Sequence, residues 1–240
     1  MALDAAGIDY ELVFHEWADL KTPEFLAKNP TGKVPALETP EGLIFETHAI
    51  LRYIARASGK LYGSSNIQNS QVDQWLDWIN GSLQTLAPQV IYQIFGFEGL
   101  GLNYEKASLF KGKKTFGDNL ALIEAAIGTE GYIVGNDFSI ADIAFTNAII
   151  HFWTFILAEK ERKAFPNITR WLGLVAETHA FKKWWGRIRA VPSSLNWPVF
   201  EAPAPAPAPK KEEKKATPAP APAAPKEEKK EQIFPESEYY

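Results

Sequence analysis

The chain has 240 residues, enough for one or two domains, and 46% of them are apolar, so a sizeable core is within reach. A formal net charge of −4 builds no basic face and argues against direct nucleic-acid binding as the main role. The absence of cysteine excludes disulfides, thiolate-held metal and thiol catalysis.

No secretory signal is visible. With Asp4, Glu11 and Asp19 present and no arginine before Arg52, the N-terminus is unlike a mitochondrial transit peptide. Met1 to Gly7 reads as the last turns of a helix stopped at Gly7, followed by a strand around Tyr10–Phe14. Thr22 caps a short helix that has Pro23 in its first position and ends near Lys28-Asn29-Pro30. Val34-Pro35-Ala36 leads into a short strand, and a turn at Pro40-Glu41-Gly42 returns a second strand, Leu43–Phe45, as a hairpin. Thr47 is expected to cap a helix running to about Ser58, with Ala49, Ile50, Tyr53 and Ile54 on one face.

A polar linker, Gly63–Asn69, precedes an amphipathic helix that starts at Val72 and carries Trp75, Leu76, Trp78 and Ile79; Pro88 kinks or divides it. Asn103 to Ile127 has apolar residues at helical spacing, with Lys111–Lys114 placed outward as a solvated face. Then comes the stretch around which the chain is organised, Gly135 to Leu157. Ser139 is an N-cap, and Asp142 stands three residues on, where its carboxylate can reach back to the cap N–H. Phe138 and Ile143 have the spacing of a hydrophobic staple. The residues beyond are apolar on every face, which fits a buried central helix or a membrane span. Asp142, Asn147 and His151 interrupt the run and cationic flanks are missing, so the buried helix is the better reading. Pro166 opens a helix to Glu177 with Trp171, Leu172 and Val175 inward, and Ala180–Val191 follows, mixing Trp184 and Trp185 with basic residues. Those aromatics could stack on RNA, but a surface helix with one Trp packed inward explains them more simply.

From Glu201 the composition changes: APAPAPAPKKEEKK is followed by the near-duplicate TPAPAPAAPKEEKK and then IFPESEYY. Ala-Pro runs favour extended polyproline geometry and cannot build a core, while the last residues restore aromatics and suit a short docking peptide.

The spacing N-P-x-G-x-V-P-A-L, then F-E-T-x-A-I, together with S-I-A-D at the central helix, resembles glutathione S-transferases over roughly residues 1–195. The resemblance implies an α/β thioredoxin-like domain over 1–62, lacking its first strand, and an all-α domain over 67–198, with a low-complexity tail over 199–240. Ala164 to Trp171, A-F-P-N-I-T-R-W, followed by the Pro/Ala/Lys/Glu linker, is similar to the gamma subunits of translation elongation factor 1. That likeness implies a cytoplasmic, non-catalytic scaffold that holds protein subunits, the nucleotide-exchange subunit among them, and a possible homodimer. The alternatives are a glutathione-dependent transferase and a transferase-like module taken into another large assembly.

By position, the family pattern implies a cis Val34-Pro35 bond presenting the Val34 backbone to a peptide-like ligand. Glu46 would take the ligand's amino group, Thr47 its carboxylate at a helix start, and Lys33, with Lys21 less directly, the other carboxylate. The competing reading is that the fold alone retains these residues, leaving the glutathione site vestigial, with no catalytic residue, cofactor or metal. His15, His48, His151 and His179 lie on different elements without metal or triad spacing. The opening turns of the first helix, where the family carries its thiol-activating Tyr, Ser or Cys, are expected before Met1; in the gamma subunits the linker leads to a second folded domain, which here is either missing after Tyr240 or was never part of the chain. Without a first strand, Tyr10–Phe14 and Ala36–Glu38 would flank a gap of about 9–10 Å, to be filled by preceding residues, by a partner or by Ile233–Tyr240, or left as a loosened domain.

Overall fold

The computed structural model describes residues 1–92 and 106–189, with side chains from residue 110 in the second stretch. The Ala/Pro/Lys/Glu tail and its final IFPESEYY lie outside the described residues. Helix α1 (Ala2–Ala6) stops at Gly7, whose φ of 74° is left-handed, and buries Ala2 and Ala6. The expected strand at Tyr10–Phe14 does not form. Residues 11–19 are exposed, with Phe14 at 87% and Val13 at 61%, and no strand lies alongside among the described residues. β-branched and aromatic residues favour a strand only when a neighbour accepts their backbone groups.

Helix α2 (Pro23–Lys28) is capped by Thr22, whose hydroxyl accepts the Phe25 N–H at 3.3 Å. Strands β1 (Ala36–Thr39) and β2 (Gly42–Phe45) form the expected hairpin, paired antiparallel from Ala36 opposite Phe45 to Thr39 opposite Gly42. Helix α3 (Thr47–Ser58) departs from expectation twice. Glu46, not Thr47, flanks its start, because the Glu46 carbonyl already accepts the Ile50 N–H at 3.0 Å. Its buried face is His48, Leu51, Ile54 and Ala55, one position round from the face read in the sequence.

Helix α4 (Asn66–Trp78) begins earlier than Val72, where the Ser65 hydroxyl accepts the Gln68 N–H. Its winding loosens into a π-helical turn over Ile79–Leu83 and tightens into a 3-10 turn over Gln84–Leu86, so the break starts well before Pro88. Arg52 of α3 joins the two helices: Nε donates to Asp73 Oδ1 at 2.5 Å and Nη2 to Asp77 Oδ1 at 2.6 Å. Tyr62 donates to Asp73 Oδ2 at 2.6 Å; burial and that carboxylate push its hydroxyl up to about 12.

Helix α5 (Lys106–Ala126) corrects the outward lysine run. Lys111 and Lys114 are exposed, but Lys113 is 2% exposed and its Nζ lies 3.5 Å from Glu161 Oε1. Lys113 is in phase with Phe116, Leu120, Ile123 and Ile127, the buried stripe of the helix. Helix α6 (Ile140–His151), prolonged by a π-helical turn at Phe152–Ile156, is the buried central helix, with Ile140 to Thr146 sealed without a break. Short α7 (Glu159–Arg162) and then α8 (Pro166–Glu177) and α9 (His179–Trp185) close the helical half. Helix α9 stops at Gly186, shorter than the sequence suggested; Trp184 is exposed and Trp185 packs against the core. That core is continuous from Ala2, Ala6 and Leu51 through Leu76, Phe116 and Phe145 to Trp171 and Phe181. Among the described residues no helix is long and apolar enough to cross a membrane.

Candidate ligand-binding site

The register of the hairpin decides which candidate residues meet. Because Ala36 lies opposite Phe45, the residues just before one and just after the other stand together at the open end of the ladder. Pro35 precedes the Ala36 end of that pairing and Glu46 follows the Phe45 end, with Lys33 and Val34 before the one and Thr47 after the other. The Val34–Pro35 peptide is cis. Lys33, Val34, Pro35 and Glu46 are exposed and Thr47 is half-buried.

Two features shape this surface. Glu46 has φ 68° and ψ 119°, a region that an L-residue adopts only when its surroundings impose it, at a cost on the order of 1–3 kcal/mol. Among the described residues no side chain caps the first turn of α3, a helix start of the kind whose leading N–H groups and dipole suit an anion. The site therefore offers a carboxylate for a cation, a helix start with a hydroxyl for a carboxylate, and exposed backbone for a peptide. These are binding groups.

Sequence reasoning passed over the residue that holds the loop ahead of Val34. Asn29 is fully buried; its Nδ2 donates to the Lys33 carbonyl at 2.7 Å, and its Oδ1 accepts from the Thr31 N–H at 3.1 Å and hydroxyl at 2.6 Å. An Asn two residues before a Thr in N-P-T-G is an Asx-turn signal, so the clue was present. Gly32 completes the loop at φ 58°, where an added Cβ would stand 3.0 Å from the Leu20 carbonyl oxygen. Lys21, offered as a second cation, instead turns its Nζ to the Gly32 carbonyl at 3.4 Å.

The Asp142 carboxylate reaches back to Ser139 at the start of α6, and it does more. Its Oδ2 accepts from the Ser139 N–H and hydroxyl, both at 2.9 Å; its Oδ1 accepts from the Ile133 N–H at 3.0 Å and the Trp171 indole at 2.7 Å. Burial pushes this carboxyl above the usual carboxylate range, and the four donors oppose that push.

The F-P-N-I-T-R-W segment is spent on the same joint. Glu124 of α5 accepts the Asn167 and Ile168 N–H groups at 2.8 and 2.9 Å, capping α8 from outside. Arg170 donates to the carbonyls of Gly131 at 2.9 Å and Gly128 at 2.8 Å, fixing the turn into α6. The motif is thus a structural clamp. The histidines do not converge, and among the described residues no group of three or more His, Asp or Glu could hold a metal ion.

Comparison with known proteins places this geometry. The family model described as the glutathione S-transferase N-terminal domain matches residues 1–56, and that of the C-terminal domain matches residues 85–179. Elongation factor 1-gamma 3 of Oryza sativa subsp. japonica is 32% identical over 219 residues, 90% of this chain and 51% of that protein. The chain spans about half the length of the curated relatives it matches. The glutathione S-transferase-like domain of elongation factor 1-gamma from Saccharomyces cerevisiae has the same fold, with a TM-score of 0.66 at 19% identity, covering 82% of this chain and 91% of that one. A glutathione transferase family member from Pseudomonas fluorescens pf-5, solved with two glutathione bound, gives a TM-score of 0.62 at 26% identity over 76% of this chain and 84% of that one.

Proposed function

We propose, because this chain belongs to the glutathione S-transferase family and is an elongation factor 1-gamma-like module within it, that it acts as a non-catalytic scaffold holding protein subunits of a translation elongation complex. The observation that carries the reading is the 32% identity to an elongation factor 1-gamma across 90% of the chain. The site supports it chemically: what Lys33, Val34, Pro35, Glu46 and Thr47 offer is recognition, and no histidine stands among them. The module works in the cytoplasm, as a subunit of a larger assembly, and self-association as a homodimer is part of the same proposal.

Glutathione fits the five-residue surface. Its amino group would meet the Glu46 carboxylate, the neighbouring carboxylate the open start of α3 with the Thr47 hydroxyl, and its far carboxylate Lys33. In this reading the site is retained for binding alone. Co-elution of the purified chain with the nucleotide-exchange subunit of elongation factor 1 in size-exclusion chromatography tests the scaffold role. A stable one-to-one complex supports it. Separate elution at micromolar concentration, with the chain instead held by subunits of an unrelated complex, contradicts it in favour of the co-opted module.

A further inference from the structure

From Asp9 to His15 no backbone N–H or C=O group is hydrogen-bonded among the described residues. The Ile8 N–H donates to the Leu3 carbonyl at 2.9 Å just before this stretch, and the Glu16 N–H donates to Asp19 Oδ2 at 3.0 Å just after it. The apolar side chains are not folded away either: Leu12, Val13, Phe14 and, a little beyond, Trp17 are exposed. Ile8, Tyr10 and Leu12 line a groove of about 360 Å³ against Trp184 of α9, and Asp9 adds a carboxylate to its wall. A stretch of strand composition with its main-chain groups unspent is what an added strand pairs with.

Charge selects the kind of strand. Asp9, Glu11 and Glu16 make no ion pair among the described residues, and no lysine or arginine occurs before Lys21. The Lys183 ammonium beside the groove is already held by Asp4 at 2.5 Å. Paired as a strand, the stretch puts Tyr10, Leu12 and Phe14 on one face and Asp9, Glu11 and Val13 on the other. A second copy of the stretch would bring two sets of unpaired carboxylates together, and Ile233–Tyr240, with Glu236 and Glu238 and no cation, would do the same.

We propose that Asp9–His15 is an edge for strand addition, which takes an extended segment of a partner protein in which lysine or arginine alternates with apolar residues. The inference rests on the scaffold reading given above for the class of partner, a protein. Main-chain pairing holds the segment, Asp9 and Glu11 select its cations, and the groove beside Trp184 receives an apolar side chain.

The test uses the full chain and a short amidated peptide alternating lysine with valine, read by amide hydrogen exchange. In the free chain the amides of Tyr10–Phe14 should exchange close to the rate of an unstructured segment, and saturation with the peptide should slow them about tenfold or more. A peptide of equal charge with proline in place of valine should give no protection. Val13→Pro changes an exposed residue whose N–H has no acceptor, so the variant should fold as the parent does and bind the lysine-valine peptide about tenfold more weakly. Asp9→Asn with Glu11→Gln should weaken binding and flatten its salt dependence. Protection of Tyr10–Phe14 in the free chain would mean that the chain itself or a second copy already covers the edge, and overturns the proposal. Peptide binding that leaves these amides unprotected, or that the proline peptide matches, overturns it as well. Co-elution with the exchange subunit but no protection by the peptide overturns this edge and leaves the scaffold reading standing; protection without co-elution supports the edge and contradicts that reading.

Discussion

The indole Nε1 of Trp171 on α8 donates to Oδ1 of Asp142 on α6 at 2.7 Å, across 29 residues of sequence. The bond makes one carboxylate both the cap of the central helix and the anchor of the helix that closes the domain. Asp142→Ala should therefore destabilise well beyond an ordinary cap, by about 3 kcal/mol or more, because four donors lose their acceptor. Ser139→Ala, which leaves the carboxylate in place, should cost about 1 kcal/mol. Chemical denaturation of both variants checks the order, and equal losses would mean that Asp142 is only a cap.

The buried pair of Lys113 and Glu161 gives a second prediction. Glu161 Oε2 also accepts the Ala158 N–H at 2.6 Å, so the carboxylate holds the start of α7 as well as the ammonium. Lys113→Met removes a buried ammonium that faces the Glu161 carboxylate and should cost about 3 kcal/mol. Lys113→Met with Glu161→Gln should recover part of that loss, since the amide still accepts from Ala158. A double variant as unstable as the sum of its parts would show that the two side chains act independently.

At Glu46 stability and binding should separate. The positive φ of 68° is strained for glutamate and free for glycine, so Glu46→Gly should raise stability by about 1 kcal/mol. The same change removes the carboxylate that meets a ligand's amino group, and glutathione affinity should fall. Loss of both stability and affinity would place Glu46 in the structural framework rather than in the site.

The Asp4 cluster sets a pH dependence. Asp4 accepts from Lys183 and the Trp184 indole, each at 2.5 Å, and from the Tyr10 hydroxyl at 3.1 Å. Burial pushes its carboxyl up, but these donors outweigh it and bring the value down to about 2. A carboxylate depressed in the folded state stabilises above the unfolded value near 3.8, and that stability disappears as pH falls through about 2. Reduced for solvent screening, the contribution is about 1–2 kcal/mol. The stability difference between the parent and Asp4→Asn should thus be level above pH 4 and shrink toward zero below pH 2. A difference that grows as pH falls would contradict it.

What the sequence showed and what it hid follow from range. Ser139 with Asp142, Thr22 with Pro23, and the hairpin around Pro40 were legible because each depends on residues within one turn. Glu124 capping α8 at Asn167 and Trp171 meeting Asp142 were not, since no local spacing links residues tens of positions apart. Lys113 could have been placed correctly: counting forward in steps of three and four reaches Phe116, Leu120, Ile123 and Ile127, all buried. Charge outweighed phase in that reading. Tyr10–Phe14 has strand composition, and composition does not supply the neighbour a strand needs. At the proposed ligand surface the motif named five residues, and the register of β1 against β2 fixes only the hairpin ends that Pro35 and Glu46 adjoin.

The central claim is that this transferase-like surface binds without catalysing. Steady-state consumption of glutathione with an aryl chloride electrophile, measured for the parent chain and for Glu46→Ala, tests it most directly. The account predicts a parent rate indistinguishable from the uncatalysed thiol reaction and unchanged by the substitution. Turnover well above that background, lost in Glu46→Ala, would contradict it and make the protein a glutathione-dependent transferase.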